Sequence, residues 1–163
     1  MIGVIADDLT GAAELGGVGL RHGLRAEVVV KGQPSGEANL ICVDTDSRSC
    51  GPREAGRRAA LAARMLRTGG ARWIYLKVDS VLRGQVVAAL EAVMPQLGLK
   101  QALLVPANPA LGRTVSDGQY FIHGRPIHQT EFARDPEHPR LSASVLDLMQ
   151  TSGRRAIQVG EVG

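Results

Sequence analysis

Carboxylates, hydroxyls and cations able to do chemistry gather at three places in the first half of the chain. Ile2-Gly3-Val4-Ile5-Ala6 runs into Asp7-Asp8-Leu9-Thr10-Gly11, and Leu40-Ile41-Cys42-Val43 runs into Asp44-Thr45-Asp46-Ser47-Arg48-Ser49. Trp73-Ile74-Tyr75-Leu76 runs into Lys77-Val78-Asp79-Ser80, with Arg83-Gly84 close behind. A carboxylate can take the proton of a hydroxyl, and a guanidinium fork grips a carboxylate in two places. In an open parallel sheet, ligands bind beyond the carboxyl ends of the strands. Three such ends point to one shared site for a small polar ligand.

Each cluster also has a plainer explanation. One aspartate after the first run is accounted for as a helix N-cap, which leaves the second as an unpaired carboxylate near the sheet's end. A turn accounts for Asp46 and Ser47, whose side chains can bond their own backbone, but not for Arg48. Lys77 and Asp79 stand two apart at a strand end, so both face one side. The plain alternative there is an ion pair, which adds little to stability when exposed. Lys77 is one of only three lysines, with Lys31 and Lys100. Gly112-Arg113, Thr130, Arg134 and Asp135-Pro136 lie in an irregular stretch of the kind that forms binding loops or lids. His123, His128 and His138 lack the i, i+4 spacing of a zinc pair, and no metal site is expected. The chain has no G-x-x-x-x-G-K-[ST] loop, no G-x-G-x-x-G after the first run and no G-x-S-x-G elbow, so nothing reads as an ATP or dinucleotide site.

The elements that must carry these residues follow from composition and period. A chain of 163 residues that is 44% hydrophobic and 21% charged reads as one globular domain with a real core. Net charge is only +3 and aromatics are 3%, with the basic residues dispersed, so nucleic-acid binding is not expected. Two cysteines form no disulfide framework, and Cys42 reads as a small buried hydrophobe. With no signal peptide or spanning segment in the sequence, the expected setting is the cytoplasm, away from membranes.

Strands are expected at 2–6, 26–31, 40–43, 73–76 and 101–105. A first helix should run from about Thr10 to His22, stop at Gly23, and use Gly16, Gly17 and Gly19 to pack closely on the sheet. A second should start at Pro52 and end near Thr68, with Arg53, Arg57, Arg58 and Arg64 on its solvated side. A third, carrying Val86, Leu90, Val93 and Leu97, should be capped by Asp79 or Ser80. Beyond Pro106 the prolines exclude long helices, and 119–127 reads as a hairpin with Pro126 at an edge. A short helix should follow Ser142 as far as Gln150, and 155–159 should be a last strand without its helix. The expected fold is α/β, three-layered, with a mostly parallel Rossmann-like sheet, a β-hairpin and proline-rich insertion, and a truncated C-terminus.

Taken in order, IADDLTGA at 5–12, DTDSRS at 44–49, KVDSVLRG at 77–84, PANPALGR at 106–113 and TEFARDPEHP at 130–139 resemble the four-carbon acid sugar kinase family. The chain departs from that family's wording at Ala13-Glu14, Val81, Gln85 and Asn108. The resemblance implies a kinase that phosphorylates threonate, erythronate or 3-oxo-tetronate with ATP and Mg2+. It implies that residues 1–163 are an incomplete N-terminal sugar-acid-binding domain. The nucleotide would belong to a C-terminal domain or a separate partner chain. Of the residues, it implies Asp8 or Asp79 beside the reacting hydroxyl, and Arg48, Lys77 and Arg83 on the acid's carboxylate. Ser47 and Ser80 would bond sugar hydroxyls, with Asp7 and Arg113 completing the substrate set. A homodimer is left open. Two other readings compete: a non-catalytic or split sugar-acid-binding module, and a haloacid-dehalogenase-like phosphatase. The phosphatase reading starts from Val43-Asp44-Thr45-Asp46. Against it stand Arg48, where that family has Thr or Val, and the earlier Asp7-Asp8.

Overall fold

The computed structural model describes residues 1–149, which form two compact units. The first comprises Met1–Asp79 with Gly84–Leu103, and the second comprises Ser80–Arg83 with the described residues from Leu104 onward.

The first unit is a three-layer α/β sandwich. Its strands are β1 (Ile2–Ala6), β2 (Ala26–Val29), β3 (Leu40–Asp44) and β4 (Trp73–Lys77), all parallel and ordered β2-β3-β1-β4. Helix α1 (Leu9–Arg21) packs on one face, where Ala12 meets Val4, Ala6, Leu40 and Cys42. Helices α2 (Pro52–Thr68) and α3 (Val86–Leu97) cover the other, burying Ala59, Ala62, Leu66 and Val93 against Ile5, Ile41 and Val43. Small residues let these layers approach. A Cβ on Gly19 would run into the Leu40 side chain, and one on Gly56 of α2 would lie 3.1 Å from the Ala88 carbonyl of α3. Burial of Cys42 pushes its thiol pKa up to about 11, in keeping with a packing role.

The second unit is built around a small antiparallel sheet, β5 (Arg113–Ser116), β6 (Gln119–Ile122) and β7 (Arg125–Pro126). Its turns are Asp117-Gly118 and His123-Gly124, with φ of 48° and 72°, and 48° and 76°. These are the paired positive values of tight hairpin turns. Tyr120 and Ile127 are wholly buried, and the Tyr120 hydroxyl donates to the carbonyls of Ser80 and Pro106. A short helix α4 (Val145–Leu148) is capped by the Ser144 side chain.

Several expectations change. Residues 101–105 are not a strand. They are mostly exposed, and they carry the chain over the boundary between the units at Leu103 and Leu104, so β4 is an edge among the described residues. Strand β5 was not expected, although Asp117-Gly118 is the turn signal that gives it away. Helix α3 is not capped by Asp79 or Ser80. Positive φ at Leu82 and Gly84 turns the chain before Gln85, which takes the cap position without a side-chain bond. The end of the last short helix at Gln150 and the strand at 155–159 lie outside the described residues. Among those residues, no helix is long and apolar enough to cross a membrane.

Candidate functional site

Strand order places the site before any side chain is considered. The chain leaves β1 through α1 on one face, and leaves β3 through α2 on the other. This makes β1, flanked by β3 and β4, the point where the winding reverses. Such a point opens a crevice beyond the carboxyl ends of the strands. The three ends are level: Ala6 pairs in register with Asp44 on β3 and with Lys77 on β4.

Arg48 ties the ends together. Its Nε and Nη2 donate to Asp7 Oδ2 and Oδ1 at 2.9 and 2.8 Å, a two-pronged pair. Its Nη1 donates to Asp8 Oδ2 at 2.6 Å, and Asp79 Oδ1 lies 3.9 Å from Nη2. The other oxygen of Asp8 accepts from the Gly11 N–H at 2.8 Å and caps α1. Burial opposes the charge on Arg48, but the Asp7 hydrogen bonds and charge, followed by the charges of Asp79 and Asp8, raise its pKa. Asp79 is only 6% exposed, so its charge needs such a counter-ion. Arg48, the residue that no turn explained, is therefore the counter-ion of three aspartates. Its fork faces them rather than open solvent.

The loop after β3 is laced to the end of β1. Thr45 N–H and hydroxyl both donate to the Ala6 carbonyl, at 2.9 and 2.8 Å, and Ser47 and Arg48 N–H donate to the Asp7 carbonyl. The Ser47 hydroxyl is buried against that of Thr45 at 2.8 Å. From below, Arg58 of α2 donates Nη1 to the carbonyls of Thr45 and Asp46, while its Nε bonds Glu54 Oε1 at 2.8 Å. Sequence periodicity assigned Arg58 to the solvated face, but its reach to the loop makes it a brace. Asp44, inside the motif but not singled out beforehand, accepts from Asp46 N–H at 2.8 Å. Burial, and then the charges of Asp46, Asp8 and Asp7, raise its pKa against the opposing Asp46 hydrogen bond.

Lys77 does not pair with Asp79. Its Nζ meets Glu14 Oε2 at 3.2 Å and donates to the Val78 carbonyl at 3.0 Å. A cleft beside the network is lined by Asp7, Ser47, Lys77, Gln85, Val86 and Ala89. The structure thus brings together Asp7, Asp8, Ser47, Arg48, Lys77 and Asp79.

Ser80, Arg83 and Arg113 belong to the second unit. Arg83 Nη1 meets Asp135 Oδ2 at 3.3 Å. The Asp135 carboxyl is held below its usual range by the His138 N–H first, which outweighs the opposing effect of burial, with the Glu137 N–H and Arg83 adding to it. Arg113 opens β5, and its Nε is buried with no hydrogen-bond partner among the described residues. A buried donor left without an acceptor costs about 1–3 kcal/mol.

With this geometry in place, comparison with known proteins gives the family. The sequence profile of the sugar-binding N-terminal domain family matches residues 2–162. The chain belongs to that family. It is 35% identical over 150 residues to a D-threonate kinase of Salmonella typhimurium, covering 90% of this chain and 35% of that protein. To a D-erythronate kinase of Heliobacterium modesticaldum it is 33% identical over 160 residues, covering 94% of this chain and 36% of the relative. The sugar-binding domain thus spans little more than a third of these curated relatives. A crystal structure from Bordetella bronchiseptica, a domain of unknown function solved with bound citrate as a domain-swapped dimer, superposes with a TM-score of 0.82. It is 32% identical, and the match covers 91% of this chain and 39% of that one. Membership bears out the resemblance carried by the five motifs, and the superposition bears out the α/β fold.

Proposed function

We propose that this sugar-binding domain is the substrate-binding part of an ATP-dependent kinase that phosphorylates a hydroxyl of a four-carbon sugar acid. The observation that carries the reading is the Arg48 network. It joins three of the five motif segments at one end of a parallel sheet, in a chain whose relatives include D-threonate and D-erythronate kinases. Phosphoryl transfer asks chiefly for positioning and charge stabilisation, with a carboxylate to take the hydroxyl proton. Asp7, Asp8 and Asp79 form the acidic wall of the site, and Arg48 holds that wall in place. In the first unit Ser47 is a hydroxyl partner and Lys77 the cation for the acid's carboxylate.

ATP and Mg2+ belong, in this reading, to a nucleotide-binding domain in the same polypeptide or a partner chain, acting in the cytoplasm. Among the described residues no group of three or more His, Cys, Asp or Glu side chains is placed to hold a metal ion. The domain-swapped Bordetella relative supports a homodimer for the assembled protein.

The test is a thermal-shift screen of the chain against D-threonate, D-erythronate and 3-oxo-tetronate. A ligand at 100 times its Kd stabilises the folded state by about 2.7 kcal/mol. At least one acid should raise the melting temperature by several degrees, and Asp79→Ala and Arg48→Ala should remove the shift. If none of the acids shifts the native chain, the reading fails.

A further inference from the structure

In the first unit, the carboxylates at the strand ends differ in what their oxygens already hold. Both oxygens of Asp7 accept from Arg48. Asp8 gives one oxygen to the Gly11 N–H and the other to Arg48. Asp79 is 6% exposed and lies beside the same guanidinium. Asp44 is the exception. Its Oδ1 accepts from Asp46 N–H at 2.8 Å, which fixes the carboxyl, and its Oδ2 has no hydrogen-bond partner among the described residues. It is half-buried at the last position of β3, level with Ala6 and Lys77. Among the described residues no cation claims it: Arg48 is turned to Asp7 and Asp8, Lys77 to Glu14, and Arg58 to Glu54 and Asp46.

From this division of partners we propose that Asp44, through Oδ2, is the carboxylate that accepts the hydrogen bond of a ligand hydroxyl. The inference rests on the sugar-acid reading and names the residue that discriminates among hydroxylated acids. A carboxylate within hydrogen-bond reach of a hydroxyl, and not tied to a cation, has the placement that a proton acceptor needs. Burial and its acidic neighbours push its pKa in the direction that strengthens it as a base.

The test is a calorimetric titration of the native chain and of Asp44→Asn with whichever of D-threonate or D-erythronate binds, and with the three monodeoxy analogues of that acid. Asparagine keeps Oδ1 as the acceptor for Asp46 N–H, so the turn survives. Asp44→Ser, too short to reach a ligand but able to accept from that N–H, is the second variant should the first melt early. Both variants should bind the parent acid about tenfold more weakly, the size of a lost charge-assisted hydrogen bond. One analogue, lacking the contacted hydroxyl, should bind native and variant chains alike. Equal weakening across all three analogues, or parent binding unchanged by either variant, overturns the assignment of Asp44 and leaves the sugar-acid reading standing. Failure of the native chain to bind any acid overturns both.

Discussion

The two units use arginine in opposite ways. In the first, Arg48 has all three nitrogens facing aspartates, and one guanidinium serves Asp7, Asp8 and the nearby Asp79. In the second, Arg83 meets Asp135, Arg140 donates to the carbonyls of His138 and Leu82, and Arg113 keeps a buried Nε without a partner among the described residues. The first unit therefore gathers several carboxylates around one cation, whereas the second directs its arginines to Asp135 and to backbone carbonyls. The contrast says how much of the fold each arginine carries: removing Arg48 should disturb folding, while removing Arg113 should not.

The sharpest way to break that contrast is Arg48→Ala. It removes the counter-ion shared by two half-buried aspartates and the buried Asp79, and should cost about 3 kcal/mol of stability by urea unfolding. Arg48→Lys should recover little, because an ammonium cannot span both Asp7 oxygens. Gly84→Ala comes next, at about 2 kcal/mol. Its φ is +80°, and an added Cβ would sit 2.9 Å from Asp7 Oδ2, pressing on the same network from the other side. In the second unit Tyr120→Phe should cost about 1 kcal/mol, since it removes the donor to two part-buried carbonyls.

Arg113→Gln should leave the urea midpoint essentially where it is. A large loss of stability there would erase the distinction between the units.

The smallest effect concerns the brace. Glu54 is held at about pKa 2 by hydrogen bonds from Arg57 first and then Arg58. An acid with a depressed folded pKa lends stability that is complete above its unfolded value and lost as pH falls through the folded one. The Glu54 contribution should therefore fade between about pH 4.5 and 2. Midpoints of the native chain and of Glu54→Gln should differ slightly at neutral pH and converge across that window.

How far the sequence could be read follows the same division. In the first unit, burial and period act together. The apolar runs at 2–6, 40–43 and 73–76 became β1, β3 and β4, and Pro52 to Thr68 became α2 at the expected bounds, because Pro at the first turn and Gly-Gly at the end punctuate it. The strand-end aspartates converged because parallel strands place their carboxyl ends on one side. Long-range pairing was harder to read. Arg58 looked solvent-facing on a helical wheel, yet a long side chain at a helix edge can reach two carbonyls 12 and 13 residues away in sequence. Lys77 and Asp79 share a face but are claimed by Glu14 and Arg48, which no local spacing reveals. The second unit was less legible still. Its sheet has strands of two to four residues, and its side chains bond backbone carbonyls, as Tyr120 and Arg140 do. Such partners carry no residue signature.

The most direct test of the strand-end site is amide mapping by NMR during titration of the chain with D-threonate. The largest shifts should fall on Asp7, Asp8, the 44–48 loop and Lys77–Asp79, converging at one end of the sheet. Saturable shifts that leave these amides unmoved and gather elsewhere, for example around the exposed Trp73 and Tyr75 of β4, would contradict the site assignment.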